Sequence, residues 1–241
     1  MDGAWPAARF PAADSASSSS AFPPFSYAFQ PIVDSDTRSV YSHEALIRGP
    51  AMEPACQVLG RVPPGAKFQF DQASRCRAIE IAAGLGYQGR LNLNFIPQDT
   101  VASSTAILST LEVARRSGIA IDRIVLEITE GEVIHEPGEI AALLNEHRGT
   151  GLLVAIDDFG AGYSGLNLLA EFQPDLIKID MKLVRGIESH GPRQAIVRAI
   201  AQACADLGVD VIAEGVETID EYAWFAEQGI HLFQGYLFAR P

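Results

Sequence analysis

Leu152-Leu153-Val154-Ala155-Ile156 is an apolar run of strand length that ends on two adjacent acids, Asp157 and Asp158, followed by Phe159-Gly160-Ala161-Gly162-Tyr163-Ser164-Gly165. A strand without polar alternation is buried on both faces, as in a parallel sheet covered by helices. Parallel strands need crossover connections, and the chain supplies them. The patterning predicts strands at Phe25–Val33, Val40–Arg48, Arg90–Phe95, Ile124–Ile128, Leu152–Asp157, Leu176–Asp180, Val209–Ala213 (ending at Glu214) and Ile230–Gln234. Between them it predicts helices from a cap at Asp71 to about Leu85, over Thr100–Arg116, Glu139–Arg148, Leu166–Phe172 and Pro192–Leu207, and from a capping box at Thr218–Glu221 to Gly229. Ala51–Lys67 reads as irregular, with room for one short helix. This order fits an open doubly wound sheet or a barrel. The turn at Asp34-Ser35-Asp36 is too short for a helical crossover, so the first two strands pair antiparallel. The fold adopted is an irregular (β/α)8 TIM-type barrel with one antiparallel strand near the N-terminus.

The barrel is assigned to residues 25–241. Residues 1–24 are rich in Ala, Ser and Pro and are expected to form a disordered tail in place of a sensory domain, because they offer little apolar surface to offset ordering entropy. A net charge of −12 and a sequence pI near 4.8 argue against a nucleic-acid polymer as partner. Cys56, Cys76 and Cys204 share no metal-ligand spacing and read as thiols in a reducing compartment. There is no signal-peptide pattern and no membrane-length apolar run, so a cytoplasmic location away from membranes is expected. The five histidines also lack metal-ligand spacing and read as structural or exposed, and Trp224 reads as core.

An isolated Asp-Asp is commonly a solvated turn. Here, however, Glu44, Asn94, Glu127, Asp157–Asp158, Lys178, Glu214 and Gln234 each fall at or near the C-terminal end of a different predicted strand. In a barrel those ends form one face, where active sites are built. Carboxylates converging on one mouth repel each other and lose water, so they stay ionised only if cations compensate them. Divalent cations take oxygen ligands, and two of them bridged by one carboxylate, about 3.5–4 Å apart, suit phosphodiester hydrolysis. The residues alone therefore indicate a metal-dependent phosphoryl hydrolase.

Glu44-Ala45-Leu46 followed by Ile47-Arg48 resembles the signature of the EAL domains, phosphodiesterases that linearise cyclic di-GMP. The resemblance continues through Gln30-Pro31-Ile32, Asn94, Glu127-Ile128-Thr129-Glu130, Asp157-Asp158-Phe159-Gly160, Lys178-Ile179-Asp180, Glu214-Gly215-Val216-Glu217 and Gln234-Gly235-Tyr236, covering about residue 25 onward. It implies that Glu44, Asn94, Glu127 and Asp157 hold one Mg²⁺ or Mn²⁺, with Asp157 bridging to a second ion shared by Asp158 and Glu214. It also implies that Lys178 orients the attacking water or stabilises developing charge, and leaves open whether any side chain serves as a discrete general base. By the same resemblance Arg48 contacts a substrate phosphate, Gln30 and Gln234 contact the nucleotide, Glu130 braces the loop at 159–165, and Glu217 supports the second metal. The implied product is 5′-pGpG. The implied assembly is a homodimer whose contacts the loop couples to metal binding, and a regulatory protein partner fits the pattern too.

The sequence departs from the family pattern in three places. Gly49 stands where Trp is common, Tyr163-Ser164-Gly165 lacks a second Ser, and the stretch after Pro50 is short. No expected ligand is lost. The rival function is a catalytically silent module that senses cyclic di-GMP or grips another regulator.

Overall fold

The apolar runs form a closed barrel, with neighbours in chain order, in the computed structural model, which describes residues 22–97, 99–135, 137–162 and 165–241. The strands are β1 (Ser26–Asp34), β2 (Ser39–Arg48), β3 (Arg90–Asn94), β4 (Ile124–Thr129), β5 (Leu153–Phe159), β6 (Leu176–Ile179), β7 (Asp210–Glu214) and β8 (Leu232–Gln234). β1 runs antiparallel to both of its neighbours. It pairs with β2 from Ser26 to Asp34, but with β8 only through Val33 and Asp34. The remaining pairs are parallel. The tight β1–β2 turn is held by Asp34, whose Oδ1 accepts from the backbone N–H groups of Asp36 (2.9 Å) and Thr37 (3.2 Å).

Around the barrel lie α1 (Ala55–Leu59), α2 (Lys67–Gly84), α3 (Thr100–Arg116), α4 (Glu130–His135), α5 (Pro137–Arg148), α6 (Gly165–Glu171), α7 (Met181–Val184), α8 (Gly191–Leu207) and α9 (Ile219–Glu227). α3 has the bounds its periodicity predicts, and the capping box at Thr218–Glu221 is present. Asp71 is not a cap. α2 starts four residues earlier, fed by a 3₁₀ turn at Pro64–Ala66, and Asp71 sits one turn inside it, paired with Arg75. Asp180 is not part of a strand; it caps α7, accepting from the N–H of Lys182 at 2.7 Å. α4 was not anticipated, being too short for a periodic signal. Except for Phe22, Pro23 and Pro24, the segment read as a tail lies outside the described residues, and Phe22 packs edge-on against Phe70. Among the described residues no helix is long and apolar enough to cross a membrane.

Ile32, Val125, Ala155, Leu176, Ile212 and Leu232 form one buried cluster contributed by six different strands. Side chains two apart on a strand share a face. Gln30, Glu127, Asp157, Lys178, Glu214 and Gln234 each stand two residues from one of these apolar positions, toward the mouth. The barrel interior thus has an apolar floor, with the polar residues one layer above it.

His43 is 2 % exposed, with Nδ1 3.0 Å from the Tyr87 hydroxyl, and burial pushes its imidazole down to about 4. The unfolded chain takes up a proton near pH 6.5 while the folded chain does not until near 4. Stability from the neutral ring is therefore complete above 6.5 and is lost as pH falls from 6.5 toward 4. The wild type should lose about 3 kcal/mol more than His43→Gln between pH 7 and 4, at 1.36 kcal/mol per pKa unit. Urea unfolding of both proteins across that range measures the difference, and parallel profiles would refute the assignment.

Candidate active site

Lys178 is fully buried near the end of β6, and four acids surround its ammonium. Nζ lies 3.1 Å from Glu44 Oε2, 3.3 Å from Glu127 Oε1, 3.1 Å from Asp157 Oδ1 and 3.6 Å from Glu214 Oε2. Burial alone would lower the Lys178 pKa, but Asp157, Glu127, Glu214 and Glu44 outweigh it and hold it well above the usual value. One ammonium does not balance four carboxylates. Glu127 is raised well above the ordinary range, first by burial and then by Glu44 and Asp157, against relief from Lys178 and Asn92. Burial, followed by Asp157 and Glu44, raises Glu214 to about 8 despite Lys178. Asp158 is raised to about 6 by burial, Asp157 and Asp180.

A local irregularity makes this concentration of charge possible. Consecutive residues of a regular strand point to opposite faces. Between Ile156 and Phe159 the β5–β6 register shifts, and Asp158 adopts a left-handed φ of 55°. Oxygens of Asp157, Asp158 and Glu214 consequently lie within 4.8 Å of one another. Asp157 Oδ1 and Glu214 Oε2 are buried and, beyond their ion contacts with the shared Lys178 ammonium, accept no hydrogen bond among the described residues. A close set of carboxylate oxygens that is short of donors and positive charge fits a hard divalent cation.

Amides hold the remaining acids in place. Gln234 donates Nε2 to Glu44 Oε2 at 2.7 Å and to Gln30 Oε1 at 3.3 Å, and Gln30 donates to the Ala239 carbonyl at 3.2 Å. Asn94 donates to Glu44 Oε1 at 3.4 Å, and Asn92 donates to Glu127 Oε1 at 2.8 Å. Glu130 is buried at the start of α4, and its Oε2 accepts the N–H groups of Gly160 (2.8 Å) and Gly162 (3.2 Å). Gly160 has φ +90°, which side-chain-bearing residues rarely adopt. Tyr163 and Ser164, next in that loop, lie outside the described residues.

Nine of the sequence candidates therefore meet in one cluster: Gln30, Glu44, Asn94, Glu127, Asp157, Asp158, Lys178, Glu214 and Gln234. Glu130 lies beneath the adjoining loop. Two candidates are not brought into the cluster. Arg48 donates Nη1 to the carbonyl of its neighbour Ile47 at 2.9 Å. Glu217 is 43 % exposed and pairs with Arg185 at 2.7 Å. The Glu53 side chain lies over Gly49 where a Cβ would stand, so the small residue there makes room for it. Sequence reasoning passed over Asn92 and Asp180. The Asn-Leu-Asn alternation at 92–94 puts Asn92 on the face of Asn94, and that signal was available. Beside the cluster a cavity of about 580 Å³ opens toward α1 and α2, lined by Tyr27, Phe70, Phe95, Asp71 and Arg75 as well as by Glu44, Asn94 and Glu127.

The EAL domain model matches residues 22–241. A standalone EAL protein from Vibrio cholerae O395, solved in a c-di-GMP-bound form, is 40% identical with a TM-score of 0.84, covering 92% of this chain and 94% of that one. Klebsiella pneumoniae BlrP1, in a manganese/cy-diGMP complex, is likewise 40% identical with a TM-score of 0.84, over 90% of this chain and 56% of that one. The blue light- and temperature-regulated antirepressor BluF of Escherichia coli K12 is 36% identical over 215 residues, 89% of this chain and 53% of BluF. The chain thus spans about half the length of the curated relatives it matches.

Proposed function

Because this chain belongs to the EAL domain family, we propose that it is a metal-dependent phosphodiesterase that opens cyclic di-GMP to linear 5′-pGpG. The observation that carries this reading is the set of four carboxylates converging on one buried lysine, with more negative charge than that lysine can balance. Residues 25–241 are the catalytic barrel. Glu44, Asn94, Glu127 and Asp157 would hold one Mg²⁺ or Mn²⁺, and Asp157, Asp158 and Glu214 would hold a second. When bound, the ions supply a nucleophilic water at neutral pH and neutralise charge on the attacking and leaving oxygens.

The chain's own residues do the rest. Lys178, kept protonated by its acidic neighbours, orients the nucleophile and meets negative charge developing on the phosphoryl oxygens. Gln234 donates to Glu44 and to Gln30, and these two glutamines are the amides offered to the nucleotide. Arg48 exchanges the Ile47 carbonyl for a substrate phosphate. The cavity with Tyr27, Phe70 and Phe95 on its walls receives one guanine. Glu130 ties the 159–165 loop to the β4 end, where Glu127 stands, and Glu217 supports the β7 loop through Arg185. The same reading carries a homodimeric assembly in the cytoplasm.

The similarity to BluF, named an antirepressor, favours a second reading: a nucleotide-sensing module that grips another regulator. The two separate on incubation of the purified protein with cyclic di-GMP and Mg²⁺ or Mn²⁺, following pGpG by chromatography. Metal-dependent product that a chelator abolishes is the expected result. Bound nucleotide with no product over hours in either metal would move the protein to the second reading.

A further inference from the structure

We infer that Arg75, clamped by Asp71, is a positioning residue for the metal site, acting on Asn94 through the main chain of β3. This rests on the reading of Asn94 as a metal ligand. The two side chains lie one turn apart on α2 and form a buried ion pair, with Arg75 1 % exposed and Asp71 9 %. Together they touch three consecutive residues at the end of β3. Arg75 Nη1 donates to the Asn94 carbonyl at 3.1 Å, its guanidinium lies 4.8 Å from the centre of the Phe95 ring, and Asp71 Oδ2 accepts from the N–H of Ile96 at 3.3 Å. Arg75 Nε donates to Thr110 Oγ1 on α3 at 3.1 Å, which fixes the fork from behind.

The strand end needs this support. Backbone pairing between β2 and β3 ends at Asn92, so Asn94 keeps its register with β4 but not with β2. The Asn94 side chain is exposed, and its bond to Glu44 is long at 3.4 Å. Its direction is therefore set by its backbone, and Arg75 holds that backbone. A buried ion pair adds little stability over an apolar replacement of the same volume. Groups that orient metal ligands, by contrast, govern metal affinity.

Mn²⁺ binding read by electron paramagnetic resonance tests the inference without recourse to turnover. Arg75→Lys keeps the charge and loses the fork, and should weaken Mn²⁺ binding about tenfold, the lower end for groups that orient ligands. Asn94→Ala should weaken it too, and adding Arg75→Lys to Asn94→Ala should cost nothing further. A folded Arg75→Lys protein with wild-type Mn²⁺ affinity overturns the inference, as does a loss repeated in full in the Asn94→Ala background. Wild-type affinity in Asn94→Ala alone overturns the ligand reading and the inference with it, and separates that failure from one of the clamp. If Arg75→Lys does not fold, Thr110→Val removes only the rear acceptor. It should give a smaller loss that again vanishes in the Asn94→Ala background, and an unchanged affinity there counts against the clamp.

Discussion

Asp157→Asn is expected to cut hydrolysis of cyclic di-GMP by about 10³-fold or more while the barrel stays folded. A single preorganised electrostatic group contributes about 10²–10³-fold, and Asp157 is proposed to serve both ions. The replacement has the same shape, so the β5 bulge and left-handed Asp158 have no reason to change. It also removes one negative charge from a cluster in which Asp157 helps to raise the pKa of Glu127, Asp158 and Glu214. In chelator, the variant's thermal midpoint should therefore equal or exceed that of the wild type. Activity falls without a fall in stability, which separates a lost catalytic charge from damaged folding. Near-wild-type turnover in a folded variant would sink the assignment of the bridge.

Lys178→Met should produce the largest stability loss. The methionine fills much the same space but leaves Glu44, Glu127, Asp157 and Glu214 facing one another without the ammonium between them. Removing one partner of a buried ionic group costs about 3–5 kcal/mol, most of it expected in metal-free protein. Saturating Mn²⁺ should raise the unfolding midpoint of the variant more than that of the wild type, because the ions replace missing positive charge and bind only the folded form. Chemical denaturation of both proteins, with and without Mn²⁺, gives the four values needed. Equal metal-free stability of the two would mean that the acids do not depend on Lys178 for compensation.

Much of this architecture is legible in the residues because the barrel interior repeats at a spacing of two. Val125 and Glu127, Ala155 and Asp157, Leu176 and Lys178, and Ile212 and Glu214 each couple a floor position to a site position, and period-two patterning is the most readable property of a strand. The rest depends on side-chain partners and conformations that the patterning does not specify. Asp71 has the chemistry of a helix cap, and only the folded chain brings Arg75, Ile96 and a preceding 3₁₀ turn to it in a way that makes it an interior residue. Glu217 sits in a site-like motif, yet Arg185 from the α7–α8 connection draws it outward. Arg48 lies at the strand end with its side chain turned along the strand, a matter of rotamer that sequence does not encode. Asn92 shares a face with Asn94, two residues along β3, and is legible by the same alternation.

The short seam between β1 and β8 affects when in the life of a chain chemistry becomes available. Only Val33 and Asp34 pair with β8 by backbone, and nearer the mouth the gap is bridged by Gln234 reaching Gln30, 204 residues away, and Glu44, 190 residues away. As a chain emerges from the ribosome, Glu44 can meet Asn94 early, but its shorter amide contact waits until Gln234 has been made. Domains fold as units, and contacts this distant in sequence form slowly. A chain stopped short of Gln234 would carry the proposed metal ligands without the amide that closes the seam beside Glu44.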